Sequence, residues 1–453
     1  MKGPKTAYFC QQCGHQSPKW LGKCPSCGEW NSFVEEEIGG TAPLDSPLST
    51  FHESPRPISS IEADETERLT IGIGEMDRVL GGGIVPGSAV LIGGDPGIGK
   101  STLLLQVLNR LAERGYSVLY ISGEESSKQI KLRGGRIGAS SPNLLVLVEV
   151  SLETILKQIA GIQPEAVVID SVQTVFSGAL SSAPGSVSQV REASEKLIIS
   201  AKKSGIPLFL IGHVTKEGSI AGPRVLEHMV DTVLYFEGDS GHSFRIIRSV
   251  KNRYGPTNEI GVFEMREEGL TEVTNPSALF LSERPEESAG SIVVPSMEGT
   301  RPILVEVQSL VSETAFGIPR RTTIGVDHNR VSLLAAVLDK ICGLHLGNHD
   351  IFINVAGGVK LDEPAVDLGI VSSMVSSFLN RVIDSKTVVC GEVGLTGEVR
   401  GIGQVASRIK EAARMGFTRC IMPKSVAVDD VTDIEMDMIG IRNIGELTEH
   451  LFR

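Results

Sequence analysis

The sequence predicts an α/β protein in which a parallel sheet with crossover helices is preceded by a small cysteine-rich finger and followed by a second α/β mixture. Three observations predict it. Between about Ile61 and Val273, short apolar strands alternate with helical patterns, the signature of a parallel sheet. Inside that region, Gly94-Asp95-Pro96-Gly97-Ile98-Gly99-Lys100-Ser101 is a complete G-x-x-x-x-G-K-S stretch. It follows an apolar run, Ala89 to Ile92, and opens a helical pattern, Thr102 to Arg114, closed by Gly115. Finally, four of the seven cysteines fall in two C-x₂-C pairs near the N-terminus.

Composition narrows the classes. At about 100–200 residues per domain, 453 residues make two or three domains. A hydrophobic content of 41% and a charged content of 22% are ordinary for a globular protein. A net charge of −12 excludes a chain that coats itself with nucleic acid, so any DNA contact must be local. No apolar run is long enough to span a membrane, and Met1 to Lys5 lacks the apolar core of an export signal. The expected setting is therefore the cytoplasm, with no membrane partner and with Cys342, Cys390 and Cys420 as reduced, buried thiols.

Taken in order, residues 1–34 carry Cys10, Cys13, Cys24 and Cys27, the two pairs lying ten residues apart. Gly14 and Gly28 follow the second cysteine of each pair, where a tight turn around a metal favours glycine. Four thiolates at this spacing suit a closed, structural tetrahedral Zn²⁺. Lys19, Lys23 and Trp20 give the finger a basic, aromatic face for single-stranded DNA or a protein. Residues 35–60, acidic and then rich in Pro, Ser, Thr and Gly, read as a flexible linker.

Residues 61–275 hold the nucleotide machinery. The glycines of the loop turn backbone N–H groups toward phosphates, and the helix beginning near Thr102 adds its positive dipole end. Lys100 should reach the β- and γ-phosphates of ATP, and the Ser101 hydroxyl should bind Mg²⁺. Ala166-Val167-Val168-Ile169-Asp170 is a strand ending in the carboxylate expected to complete the Mg²⁺ shell. Val118 to Ser122 is a strand followed by Gly123, Glu124 and Glu125; one of the two carboxylates should polarise the attacking water. A further buried strand, Pro207 to Gly212, ends at His213, positioned to sense the γ-phosphate. The glycine-rich loop beyond it carries Lys216 and Arg224, candidate DNA contacts. Phe244 to Val250 then delivers a cluster of cations into Lys251-Asn252-Arg253-Tyr254-Gly255 and a turn at Gly255-Pro256.

Residues 276–287 read as a second linker, and residues 288–453 as a last α/β domain without a phosphate loop. The succession of four-cysteine finger, phosphate loop, Lys251-Asn252-Arg253-Tyr254-Gly255 and C-terminal domain resembles the bacterial RadA (Sms) family of DNA-repair proteins over essentially the whole chain. That family usually has Phe where Tyr254 stands. The resemblance implies a RecA-like core and a C-terminal α+β domain like that of Lon protease, of the ribosomal S5 domain 2-like type. It also implies a homo-hexameric ring that uses ATP to move along single-stranded and branched DNA. Such a helicase drives branch migration in homologous recombination, beside the recombinase RecA, in the response to DNA damage. Lys251 and Arg253 would then reach the neighbouring subunit's nucleotide, or alternatively the DNA backbone.

Lon-type proteases use a Ser–Lys dyad. The matching stretches here are Asp362 to Gly369 and Gly401 to Ala406, with Ala365 at the position of the serine and Ala406 at that of the lysine. A methyl group neither attacks a carbonyl nor accepts a proton, so this chemistry is not expected. A second reading is an ATP-driven, protein-partnered switch of the clock-ATPase type, which shares Gly123-Glu124-Glu125-Ser126 and needs no DNA.

Overall fold

The computed structural model describes residues 5–10, 15–26, 28–38, 57, 68–212, 226–238, 244–285, 287–314, 317–426 and 434–452. The chain divides into two compact units, Met1–Thr274 and Asn275–Arg453. Among the described residues, no helix is long and apolar enough to cross a membrane.

In the finger, β1 (Lys5–Cys10) is flanked antiparallel by β2 (Gln16–Ser17) and β3 (Phe33–Ile38), with Cys10 opposite Phe33. Its core is small: Cys10, Cys24 and Phe33 are buried, with Tyr8 and Leu21 packed against them. Trp20 and Trp30 remain 51% and 66% exposed, too open to serve as core, and Lys23 lies 5.4 Å from the Trp30 ring centroid.

The larger part of this unit is a nine-stranded sheet. Its strands are β4 (Ala89–Gly93), β5 (Val118–Ser122), β6 (Leu144–Val148), β7 (Ala166–Asp170), β8 (Leu208–Ile211), β9 (Thr232–Glu237), β10 (Phe244–Asn252), β11 (Ile260–Arg266) and β12 (Gly269–Glu272). The order is β12-β11-β10-β9-β4-β8-β7-β5-β6. The six strands from β9 to β6 run parallel, and β10 to β12 continue antiparallel. Side chains alternate between faces along a strand. Val90 and Ile92 of β4 therefore join one core, with helices α1 (Gly74–Val79) and α2 (Lys100–Glu113), while Ala89 and Leu91 join another. That second core packs α4 (Leu152–Ile162) and α5 (Val187–Ser204) against the opposite face. Burial on both faces is why these strands read as unbroken apolar runs.

The second unit holds a mixed seven-stranded sheet, Ser291–Glu298 pairing antiparallel with Arg301–Glu313 at its centre. Residues 276–287, expected to be a linker, begin with a helix, Pro276–Phe280, instead. The Asn275 side chain accepts from the Ala278 N–H and caps it, with Pro276 at its first turn. Ser277 and Phe280 are buried within this unit. What reads as a loop-forming Asn-Pro is thus a helix start. Of the three thiols expected to be buried, Cys390 and Cys420 are, whereas Cys342 is only partly covered.

Candidate functional site

Three strands end on one cavity of about 330 Å³. From the β4–α2 junction it is lined by Pro96, Gly97, Gly99, Lys100, Ser101 and Thr102. Glu124 and Glu125 follow β5, and Asp170 ends β7. Ligands bind beyond the carboxyl ends of strands in such sheets, and these are the carboxyl ends.

The loop is held in its shape by backbone that only glycine adopts easily. Gly94 has φ +145° and Gly99 φ +119°, and a Cβ on Gly94 would come within 2.8 Å of the Phe236 Cβ. Asp95 and Ile98 complete the loop, Ile98 buried against the core beneath it. The Lys100 ammonium donates to the carbonyls of Gly94 at 2.7 Å and Asp95 at 2.9 Å, curled over the loop from within. Burial lowers its pKa from the ordinary 10.5, against the attraction of Asp170, Asp95 and Glu124.

The carboxylates are arranged unequally. Asp170 is buried; its Oδ2 accepts from the Tyr120 hydroxyl, and its Oδ1 has no hydrogen-bond partner among the described residues. Burial, followed by the Asp170 charge, drives the Tyr120 phenol pKa far up, so it stays a donor. Glu124 accepts from the Ser171 hydroxyl. Glu125 is ion-paired with Arg133, whose other guanidinium nitrogen lies 4.0 Å from Asp170. Arg133 went unnoticed in the sequence. Its signal was there: Ser126 and Gln129 form a capping box that starts α3 (Ser127–Arg136) directly after the two glutamates. Two turns later the helix returns Arg133 to the cavity.

A divalent cation fits this cavity: the Ser101 hydroxyl and the unpartnered Asp170 Oδ1 are hard oxygen donors lining the same space. Zinc suits the finger. Cys10 and Cys24 are buried, and their N–H groups donate to carbonyls five residues on, His15 at 2.9 Å and Glu29 at 2.8 Å. The two bonds repeat one spacing beside two buried thiols, which fits the thiolate ligands of a Zn²⁺ site. Cys13 and Cys27 lie outside the described residues, as do His213, Lys216 and Arg224.

The Lys251–Gly255 motif lies at the carboxyl end of β10, which runs antiparallel to β9 and so ends away from this cavity. The Asn252 side chain accepts from the Tyr254 N–H at 2.9 Å and donates to the Val79 carbonyl at 3.4 Å, fixing the turn. The Lys251 ammonium is bound to its own chain's carbonyls, Glu227 at 2.7 Å and Val230 at 2.9 Å. Burial and the neighbouring Arg253 lower its pKa. The Arg253 side chain is 54% exposed and meets the buried Asp231 at 3.3 Å. Neither cation lines the chain's own phosphate-loop cavity.

In the second unit, Ala365 is buried in a short 3₁₀ turn, Pro364–Val366, and Ala406 is in the first turn of the helix Val405–Arg414. Glu363 and the buried Arg408, each two residues from one of these alanines, form a two-bonded ion pair at 2.6–2.7 Å. Arg408, one of several basic residues on this domain, is thereby withdrawn from the surface.

Fold and cavity together define a phosphate-loop ATPase with a RecA-like core, flanked by a ribbon and a Lon-like domain, the fold class read from the sequence. Residues 8–35 match a rubredoxin metal binding domain, residues 69–145 the KaiC ATPase family, and residues 336–452 the Lon protease C-terminal proteolytic domain. DNA repair protein RadA of Bacillus subtilis is 57% identical over 451 residues, 98% of either chain. DNA repair protein RadA of Listeria monocytogenes is 52% identical over 446 residues, 97% of either chain. A KaiC-like protein of Pyrococcus horikoshii of known structure aligns with 46% of this chain at 20% identity, with a TM-score of 0.39. The chain belongs to the RadA family of DNA-repair proteins.

Proposed function

We propose that this protein is a DNA-dependent ATPase and ring helicase, acting in DNA repair by promoting branch migration of recombination intermediates. The observation that carries it is the convergence of Lys100, Ser101, Glu124, Glu125 and Asp170 on one cavity at the strand ends. Full-length similarity to proteins named for DNA repair supplies the biological setting. In this reading the loop N–H groups and Lys100 hold the triphosphate in line for transfer, and Glu124 or Glu125 orients the water. Ser101 and Asp170 would hold Mg²⁺, which supplies charge neutralisation at the phosphates. His213 reads the γ-phosphate, and Lys216 and Arg224 contact DNA. Cys10, Cys13, Cys24 and Cys27 hold Zn²⁺, which supplies the folding energy a finger this small lacks.

Arg253, exposed and remote from its own chain's cavity, is the natural donor to a neighbour's nucleotide in a homo-hexamer. The domains run as 1–34, 61–274 and 275–453, in a cytoplasmic protein that works beside RecA. With Ala365 and Ala406 in place of a dyad, it cleaves no peptide bonds. Purified protein should hydrolyse ATP faster with single-stranded DNA, and Lys100→Ala should lose about 100-fold or more of that rate. Hydrolysis indifferent to DNA would overturn the helicase reading in favour of a protein-partnered switch.

A further inference from the structure

The two adjacent glutamates both line the cavity, and their partners distinguish them. Glu125 Oε1 accepts from an Arg133 guanidinium nitrogen, and its Oε2 is buried with no hydrogen-bond partner among the described residues. A carboxylate bound to a guanidinium has its lone pairs directed at the N–H groups and away from a water. Glu124 is exposed toward the cavity and is steadied from behind by the Ser171 hydroxyl, next to Asp170 in sequence.

Arg133 is itself 15% exposed, and the nitrogen facing Asp170 has no hydrogen-bond partner among the described residues. It stands between Glu125 and Asp170, and with Lys100 it supplies the positive charge on a wall bearing three carboxylates.

We infer that Arg133 is a positioning residue that divides the labour of the pair: it holds Glu125 away from the reacting phosphate and leaves Glu124 to orient the water. The inference rests on the reading of this cavity as the site of ATP hydrolysis. Without Arg133, Glu125 is released as a free carboxylate beside a tetra-anionic nucleotide. The expected consequences are weaker nucleotide binding and a second carboxylate competing for the water. Neutralising Glu125 in the same chain relieves both.

The test uses the full-length protein, with steady-state hydrolysis and, independently, the affinity for a fluorescent ADP analogue with Mg²⁺. Glu124→Gln should lose about 100-fold in kcat with affinity retained, and Glu125→Gln less than about tenfold. Arg133→Ala should bind the analogue about tenfold more weakly and turn over more slowly, and Arg133→Ala with Glu125→Gln should recover both. The inference is overturned if Glu125→Gln is as damaging as Glu124→Gln, or if the double variant is no better than Arg133→Ala alone. The glutamate comparison decides the matter even where Arg133→Ala fails to fold. Wild-type protein without hydrolysis would refute the ATPase reading, while the affinity measurements would still judge the role of Arg133. Indifference to DNA would leave the inference standing.

Discussion

Lys100 shows at one residue how burial prepares a site. Folding removes its ammonium from water and sets it on two carbonyls, so the charged form is less favoured than in an unfolded chain. Between the lowered value and 10.5 the unfolded chain binds the proton that the folded one has lost, so the nucleotide-free protein gains stability with rising pH there. A triphosphate reverses the preference by favouring the cation. Affinity for ATP should therefore fall as pH rises through the lowered Lys100 pKa. The profile should flatten in Lys100→Ala, as equilibrium binding at increasing pH would register.

At the scale of elements, the turn that closes Lys251–Gly255 depends on close backbone approach. A Cβ on Gly255 would lie 2.8 Å from the Gly81 Cα and 3.0 Å from the Asn252 amide. Gly255→Ala should destabilise the domain by about 1–3 kcal/mol, measured by urea unfolding, and should displace Arg253 with the turn. The phosphate loop, β4, β5 and β7 were legible because their signals are local: apolar runs, glycine spacing and a carboxylate at a strand end. Arg133 was not legible, because it meets Glu125 and Asp170 only after α3 has crossed back over the strand ends. Lys251 and Arg253 read as one pair of cations delivered by the strand Phe244 to Val250 into a turn. A bulge between Ser249 and Lys251, and the end of β10 at Asn252, send them to different partners. The Pro276–Phe280 helix was missed because Asn-Pro signals a loop and a helix start equally well.

At the scale of the whole molecule, each domain answers to a different source of stability. The ATPase sheet is buried on both faces, whereas among the described residues the finger's core cluster is Cys10, Cys24 and Phe33, two of them cysteines. Chelation of Zn²⁺, or Cys27→Ser, should unfold the finger and leave nucleotide binding intact, which proteolysis followed by a binding assay would reveal. In the C-terminal domain the ion pair of the buried Arg408 with Glu363 ties the stretch around Ala365 to the helix bearing Ala406. The central claim is a ring in which single-stranded DNA drives hydrolysis at one subunit's cavity with Arg253 of the next. It is tested most directly by mixing Lys100→Ala and Arg253→Ala subunits, each inactive alone, and measuring DNA-stimulated hydrolysis. A mixed ring pairs an intact cavity with an intact Arg253, so the account predicts activity well above the sum of the separate proteins. Activity no greater than that sum would contradict it.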